Sequence, residues 1–421
     1  MGAACAFAAS ALFLHAVAAE RLHDSRAVSS RKEAPLTKAS AILSQDLVRK
    51  VLDAAPFRYQ LASWKLGDPL ITLWSPNGSR RQLHGHAAGI FGGVSGARFF
   101  PLGDRLLTWS RNGLALVFDV ATGKPMRELR HEAFIECVEI FPDGDKVVIC
   151  EADGSCIVWS VDTGELLSKY EHGQPMLVDQ SFRVGVEVFP SGDRLLMWGS
   201  DRNDDQAPWR FGPWVVDVRA GEVTCRANPA GDLIHFASVF PAGDRVVIGG
   251  WGMDTVTIWD VAACIPLRRL VHSQHTADAV VLDGGRILAT VATLNDDYAV
   301  RLWNTETGGM LCSFGDVNMV LPVPFQREFV AVGLNTAELW SLDTCAPRLQ
   351  LLGEQIVDTA VVSMGGDLLV MAGSKDAIGW DLATGRRLLQ LKELATGEAE
   401  VALYNVAIGL AGALDPGGFG R

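Results

Sequence analysis

Phe100-Pro101-Leu102-Gly103-Asp104-Arg105 runs into Leu106-Leu107. The phrase returns as Phe141-Pro142-Asp143-Gly144-Asp145-Lys146, as Phe189-Pro190-Ser191-Gly192-Asp193-Arg194 and as Phe240-Pro241-Ala242-Gly243-Asp244-Arg245. Steps of 41, 48 and 51 residues separate the four prolines. Self-similarity at a period of roughly 40–50 residues marks a chain built from copies of one structural unit. The phrase itself reads as a turn, because proline fixes one dihedral and glycine tolerates a positive one.

Around each turn the pattern alternates as short strands do. In the copy over 93–130, Val94 to Phe99 reads as a first strand and Arg105 to Trp109 as a second. After the Arg111-Asn112-Gly113 turn, Leu114 to Asp119 reads as a third, and Pro125 to Leu129 as a fourth after Ala121-Thr122-Gly123-Lys124. Four antiparallel strands with turns every 8–12 residues make one small sheet. Such a sheet buries both faces only against neighbours, and radial stacking provides them.

The third strand ends in an aromatic at Trp74, Phe118, Trp159, Trp259, Trp303, Trp340 and Trp380, with a degenerate copy at Val216-Asp217. Seven repeats between about 93 and 391 have all four strands. Residues 57–83 hold two or three more, and Glu400 to Ala411 one or two. The expectation is an all-β propeller of four-stranded antiparallel blades, eight by strand count. One blade is assembled from both chain ends, so that the ring has no open edge. A seven-bladed ring with 57–83 packed outside is the alternative.

These residues resemble the tryptophan–aspartate (WD) repeat family of β-propellers. Trp259-Asp260 and Trp380-Asp381 are intact WD dipeptides. Phe118-Asp119, Trp159-Ser160, Trp303-Asn304, Trp340-Ser341 and Trp74-Ser75 are relaxed forms. The Gly-His element that opens a family repeat is present at Gly85-His86 and weakens to Arg130-His131 and Glu171-His172. Turn acids stand at Asp153, Asp254, Asp297 and Asp376. The family's second-strand Ser or Thr, part of a His–Ser–Asp–Trp hydrogen-bond network, reads as replaced by Trp109, Cys150, Trp198 and Gly249 and as kept by Thr290. The resemblance implies a non-catalytic scaffold, usually intracellular, that binds proteins or peptides on its faces and rim. Asp119-x-x-Thr122-Gly123 and Asp381-x-x-Thr384-Gly385 are also similar to quinoprotein propellers. Those proteins place a Trp where this chain has Met126-Arg127, Leu167-Ser168 and Leu388-Leu389. A secreted or organellar propeller, either a binding module or a quinoprotein-like enzyme, is the alternative reading.

Composition agrees with a large core: 48% of the 421 residues are hydrophobic and 20% charged. A net charge of −12, with basic residues scattered singly, argues against nucleic-acid binding. Eight cysteines show no metal-ligand spacing and are expected as buried reduced thiols. Residues 1–37 read as an apolar, signal-like segment followed by a basic linker. Residues 38–56 read as a short helix, 57–412 as the propeller and 413–421 as a tail. The apolar run over 1–19 is short for a membrane span, and no span is expected. Cytoplasmic residence is favoured, with secretory or organellar targeting by 1–19 as the alternative. The propeller is expected as a monomer within a larger complex.

No catalytic, cofactor-binding or metal residues are assigned. His84/His86 and His272/His275 lack a third ligand. Asp201-x-Asn203-x-Asp205 lacks the glycine and glutamate of a calcium loop and reads as a solvated acidic loop. The step from Trp159 to Val216 is 57 residues against 37–44 elsewhere, so one blade carries an insertion between its second and third strands. Trp209-Arg210-Phe211 in that insertion, flanked by Trp251 and Arg111 in comparable loops, is the expected partner-binding surface, since Trp and Arg are enriched at binding hot spots.

Overall fold

The Phe-Pro-x-Gly-Asp phrase is a hairpin turn in the computed structural model. Gly103, at φ 71°, donates its N–H to the Phe100 carbonyl (2.8 Å), and Phe100 N–H donates to the Arg105 carbonyl (3.0 Å). The same pair of bonds recurs at Phe141, Phe189 and Phe240. The four phenylalanines are fully buried, which contributes about 1.5–3 kcal/mol each. The basic residue that follows adds a link the sequence did not announce. Arg105 lies over the Phe100 ring (4.5 Å to its centroid) and donates through Nη2 to the Gly144 carbonyl of the next blade (2.9 Å). Arg194 stacks on Phe189 and reaches Gly243 (3.1 Å), and Arg245 stacks on Phe240 and reaches Gly285 (3.4 Å). Lys146 stacks on Phe141 but spends its ammonium on Asp143 and Asp145 of its own turn.

The structure describes residues 58–65, 67–74, 80–89, 91–170, 183–200, 213–227, 233–251, 255–272, 275–294, 297–353, 356–363, 365–373, 377–391 and 404–411. They form eight four-stranded antiparallel sheets. Blade 1 joins Arg58–Lys65, Ile71–Trp74 and Arg80–Leu83 to Tyr404–Ala411 from the far end of the chain. The closing pair runs in unbroken register from Arg58↔Ala411 to Lys65↔Tyr404. Blades 2 to 8 span 94–130, 135–170, 183–226, 233–271, 275–315, 319–352 and 359–391, each in chain order. The expected eight-bladed ring, closed by both ends, is therefore the one observed. The expected helix over 38–56 lies outside the described residues.

Each hydrophobic core is shared by two neighbours. Cys137, Val148 and Val158 of blade 3 pack with Val184, Leu195 and Val216 of blade 4, and Leu61 and Trp74 of blade 1 pack with Leu368 and Val370 of blade 8. First strands of successive blades lie against one another around the axis, and Tyr404–Ala411 sits between the first strands of blades 8 and 2. Antiparallel order fixes two faces. Turns after first and third strands lie on one. Loops after second strands, and the connections between blades, lie on the other.

Two sequence expectations need correction. The residue two places beyond the one opposite each third-strand aromatic is Ser63, Thr108, Ile149, Met197, Ile248 and Thr290 in blades 1 to 6. Trp109, Cys150, Trp198 and Gly249 are each one residue further, which places them on the opposite face of the sheet. There the Trp109 ring covers Gly96, the Trp198 ring covers Gly185 and, with the roles reversed, Phe236 covers Gly249; a methyl group on any of these glycines would overlap the ring. Trp74 Nε1 donates to Ser63 Oγ (2.7 Å) and Trp303 Nε1 to Thr290 Oγ1 (2.9 Å), while Thr108 Oγ1 is hydrogen-bonded to His86 Nε2 (2.8 Å). Three blades thus keep the hydroxyl, where one was expected.

The second correction concerns the thiols. Six cysteines are paired as disulfides: Cys150–Cys156 between adjacent strands of blade 3, Cys225–Cys264 between blades 4 and 5, and Cys312–Cys345 between blades 6 and 7. Apolar surroundings suggested reduced thiols, but the strand register sets Cys150 opposite Cys156, and blade packing brings the other pairs within Cα separations of 5.4 and 6.6 Å. Cys137, also buried, is not disulfide-bonded, and Cys5 lies outside the described residues.

Candidate functional site

The face carrying second-to-third-strand loops and blade connections is where the sequence placed its partner surface. Trp209, Arg210 and Phe211 lie outside the described residues, as does the acidic stretch before them. Trp251 is not in a loop. It is the last residue of the second strand of blade 5 (Arg245–Trp251), paired with Leu233. Arg111 does lie in the loop between Arg105–Ser110 and Leu114–Asp119, with its side chain 47% exposed and ion-paired to Glu136 of blade 3 (3.6 Å).

On this face the structure shows a pair that sequence reasoning missed. Phe91 precedes the first strand of blade 2, and Phe134 precedes that of blade 3. Their rings stack with centroids 5.4 Å apart and planes 6° apart, although the residues are 50% and 38% exposed. Isolated exposed aromatics are ordinary, but two presented together from adjacent loops form a contiguous apolar platform. The signal available in the sequence was positional. Phe91 stands three residues before a first strand and Phe134 directly before one, in segments otherwise made of Gly, Ala, His and Glu apart from Ile90.

The loop under Phe134 is held by buried polar bonds. Trp159 Nε1 donates to His131 Nε2 (3.1 Å), which leaves Nδ1 as the protonated nitrogen that donates to Glu151 Oε1 (2.9 Å). Ser155 Oγ donates to Glu151 Oε2 (2.7 Å). Burial opposes the Glu151 charge, but the bonds from His131 and Ser155 prevail and hold its carboxyl down at about 2. The Phe134 carbonyl accepts from Ala152 N–H (2.8 Å), and His131 N–H donates to Gly113 beside Arg111 (2.7 Å). The loop is thus tied to blade 3 below and to the Arg111 loop beside it. On the Phe91 side, Val94 N–H donates to Asp68 and Gly89 N–H to Gly67. Preorganised loops spare a partner the ordering cost of binding.

A second polar feature follows the axis. Arg98, Glu139, Glu187 and Ser238 occupy equivalent places in the first strands of blades 2 to 5, opposite Leu107, Val148, Leu196 and Val247. Arg98 is ion-paired to Glu139, and Glu187 accepts from Val239 N–H (3.0 Å). Burial, reinforced by the nearby Glu139 charge, pushes the Glu187 carboxyl up to about 8, and burial also raises Glu139. Burial alone lowers His86 to about 4, and burial with the Arg301 charge does the same to His272. His86 faces inward while His84 is exposed, so that pair does not converge on one point. Among the described residues no group of three or more His, Cys, Asp or Glu is arranged to hold a metal, and no helix is long and apolar enough to cross a membrane.

The ring is an eight-bladed β-propeller by strand order and closure. Compared with known proteins, the chain matches no family model, and no curated protein matches it.

Proposed function

We propose that the protein is a non-catalytic interaction scaffold, a divergent propeller of the WD-repeat type. It presents the face bearing Phe91, Phe134 and Arg111 to a protein or peptide partner. The observation that carries this reading is the exposed Phe91–Phe134 stack, set on loops fixed from beneath by the His131–Glu151–Trp159 bonds. Aromatic and arginine side chains held rigid at the surface are what binding hot spots are made of. The Arg111–Glu136 pair beside them supplies a polar rim with both signs of charge. Trp209 to Phe211, in sequence between the second and third strands of blade 4 but outside the described residues, are proposed to extend this surface. Propellers serve many chemistries, so the assignment rests on the surface and not on the fold.

Proximity labelling in cells tests it, with a double Phe91→Ala/Phe134→Ala variant against a rim control, Leu388→Ala. Loss of a defined set of neighbours in the first and retention in the second is the expected result. An unchanged set in the aromatic variant rejects this face.

A further inference from the structure

At seven described blade interfaces, one position of the fourth, outermost strand faces the turn after the third strand of the next blade. Register identifies the position: it pairs with the residue just before the one that ends in the aromatic place, as Arg127 does with Val117, Cys225 with Val215, Arg268 with Ile258 and Cys312 with Leu302. On the receiving side the residue is the fourth after Asp119, Ser160, Asp217, Asp260, Asn304, Ser341 or Asp381.

Arginine meets glycine at three interfaces. Arg81 donates to the Ala121 carbonyl beside Gly123, Arg127 Nε to Asp162 (3.0 Å) beside Gly164, and Arg268 Nε to Glu306 (2.8 Å) beside Gly308. Leu349 packs on Gly385, and Ser168 holds the place facing Gly221. The turn glycines all have φ between 70° and 74°. Only two of these turns carry another residue, Cys264 and Cys345, and both keep the left-handed conformation at φ 55° and 54°. Those two turns face the only two cysteines at this fourth-strand position among the described interfaces, Cys225 and Cys312. Among seven described interfaces, cysteine in the turn and cysteine in the strand occur together twice and never apart.

A cysteine in the left-handed region costs about 1–2 kcal/mol relative to glycine. As a free thiol it gains nothing there, because the arginine that would cross to the turn's carbonyls is missing too. As half of a disulfide it replaces the latch with a bond. We infer that this chain matures in a thiol-oxidising compartment, where Cys225–Cys264 and Cys312–Cys345 form as covalent inter-blade latches in place of arginine–glycine ones. Each bond forms by loss of two thiol protons and two electrons. The electrons pass to a disulfide-bearing oxidant of the thiol–disulfide oxidoreductase class, which leaves as a dithiol. Cys264, Cys312 and Cys345 are half-buried, so the oxidant can reach one partner of each pair. Such bonds persist in secretory and periplasm-like compartments and are rare in a reducing cytosol. The inference does not rest on the proposed binding face.

The test takes full-length protein from the cells that make it, acid-quenched and alkylated before digestion. Peptides carrying Cys225 with Cys264, and Cys312 with Cys345, are expected as linked pairs that separate on reduction. Alkyl label on these four cysteines overturns the inference. A latch-swapped variant separates the bond from the fold: Cys225→Arg with Cys264→Gly, and Cys312→Arg with Cys345→Gly, installs the pairing of blades 1, 2 and 5. Reductant is expected to lower the Tm of the natural chain by several degrees more than that of the swapped chain, which keeps only Cys150–Cys156. A natural chain whose Tm ignores reductant removes the latch role.

Discussion

Blades 2 to 5 and blades 6 to 8 meet the same requirement, filling the space around the axis, with opposite chemistry. At one place in the first strand the former carry Arg98, Glu139, Glu187 and Ser238, and the latter carry Val280, Leu321 and Val361. The blades with polar residues there are also the four with the Phe-Pro-x-Gly-Asp turn. In the later blades the corresponding turns begin at Leu282, Val323 and Ser363. At this place one half of the ring therefore depends on a buried charge chain and stacked guanidinium latches, and the other carries apolar side chains. Buried ion pairs are poor sources of net stability, and removing one partner is costly. The polar half should accordingly be the fragile one.

The sharpest way to break the comparison is Arg98→Met. It leaves Glu139 buried without its cation beside Glu187. The expected cost is about 3–5 kcal/mol, the scale for breaking a buried pair. Chemical denaturation should show it, and Leu321→Met at the equivalent apolar place should cost less than about 1.5 kcal/mol. Equal losses would dissolve the distinction between the halves.

Glu187→Gln sharpens it through pH. The folded carboxyl at about 8 lies above its ordinary value of 4.5, so the folded state holds a proton that the unfolded chain releases. That contribution is complete below pH 4.5 and is lost as pH rises through 8. The slope reaches about 1.4 kcal/mol per pH unit within that window. Stability measured from pH 5 to 8 should fall more steeply in the natural chain than in the glutamine variant. On the acid side His86 and His272 act in the reverse sense. With folded values near 4, they withdraw stability as pH falls from 6.5 towards 4.

The smallest expected effect is a gain. Lys146 bonds to Asp143 and Asp145 of its own turn, whereas Arg105, Arg194 and Arg245, also ion-paired within their turns, cross to the next blade as well. Lys146→Arg should reach the Gly192 carbonyl and add about 0.5–1.5 kcal/mol, the usual net value of one hydrogen bond. A rise in Tm of the variant checks it, and a fall would show that the Asp143 and Asp145 contacts matter more.

The candidate site was only partly legible. Arg111 lies in the loop where the sequence set it, because turn composition is local. Phe91 and Phe134 escaped because they stand 43 positions apart in sequence and meet only when two blade connections lie side by side. The one-residue slip at Trp109, Cys150, Trp198 and Gly249 has a related cause. Only the pairing of second with third strands shows which residue stands two beyond the partner of the third-strand aromatic, and counting from the turns alone does not fix that pairing.

By itself the sequence determined the strands and the turns, and favoured eight blades closed by both ends over seven. Alternation, proline and glycine act over a few residues and leave a period that can be counted. Only the tertiary structure decided what those blades exchange. The arginine latches, the Cys225–Cys264 and Cys312–Cys345 bonds, the buried chain from Arg98 to Glu187 and the Phe91–Phe134 stack all join neighbouring blades across 33 residues of sequence or more. Their energies depend on distance and burial, which exist only once the blades are packed.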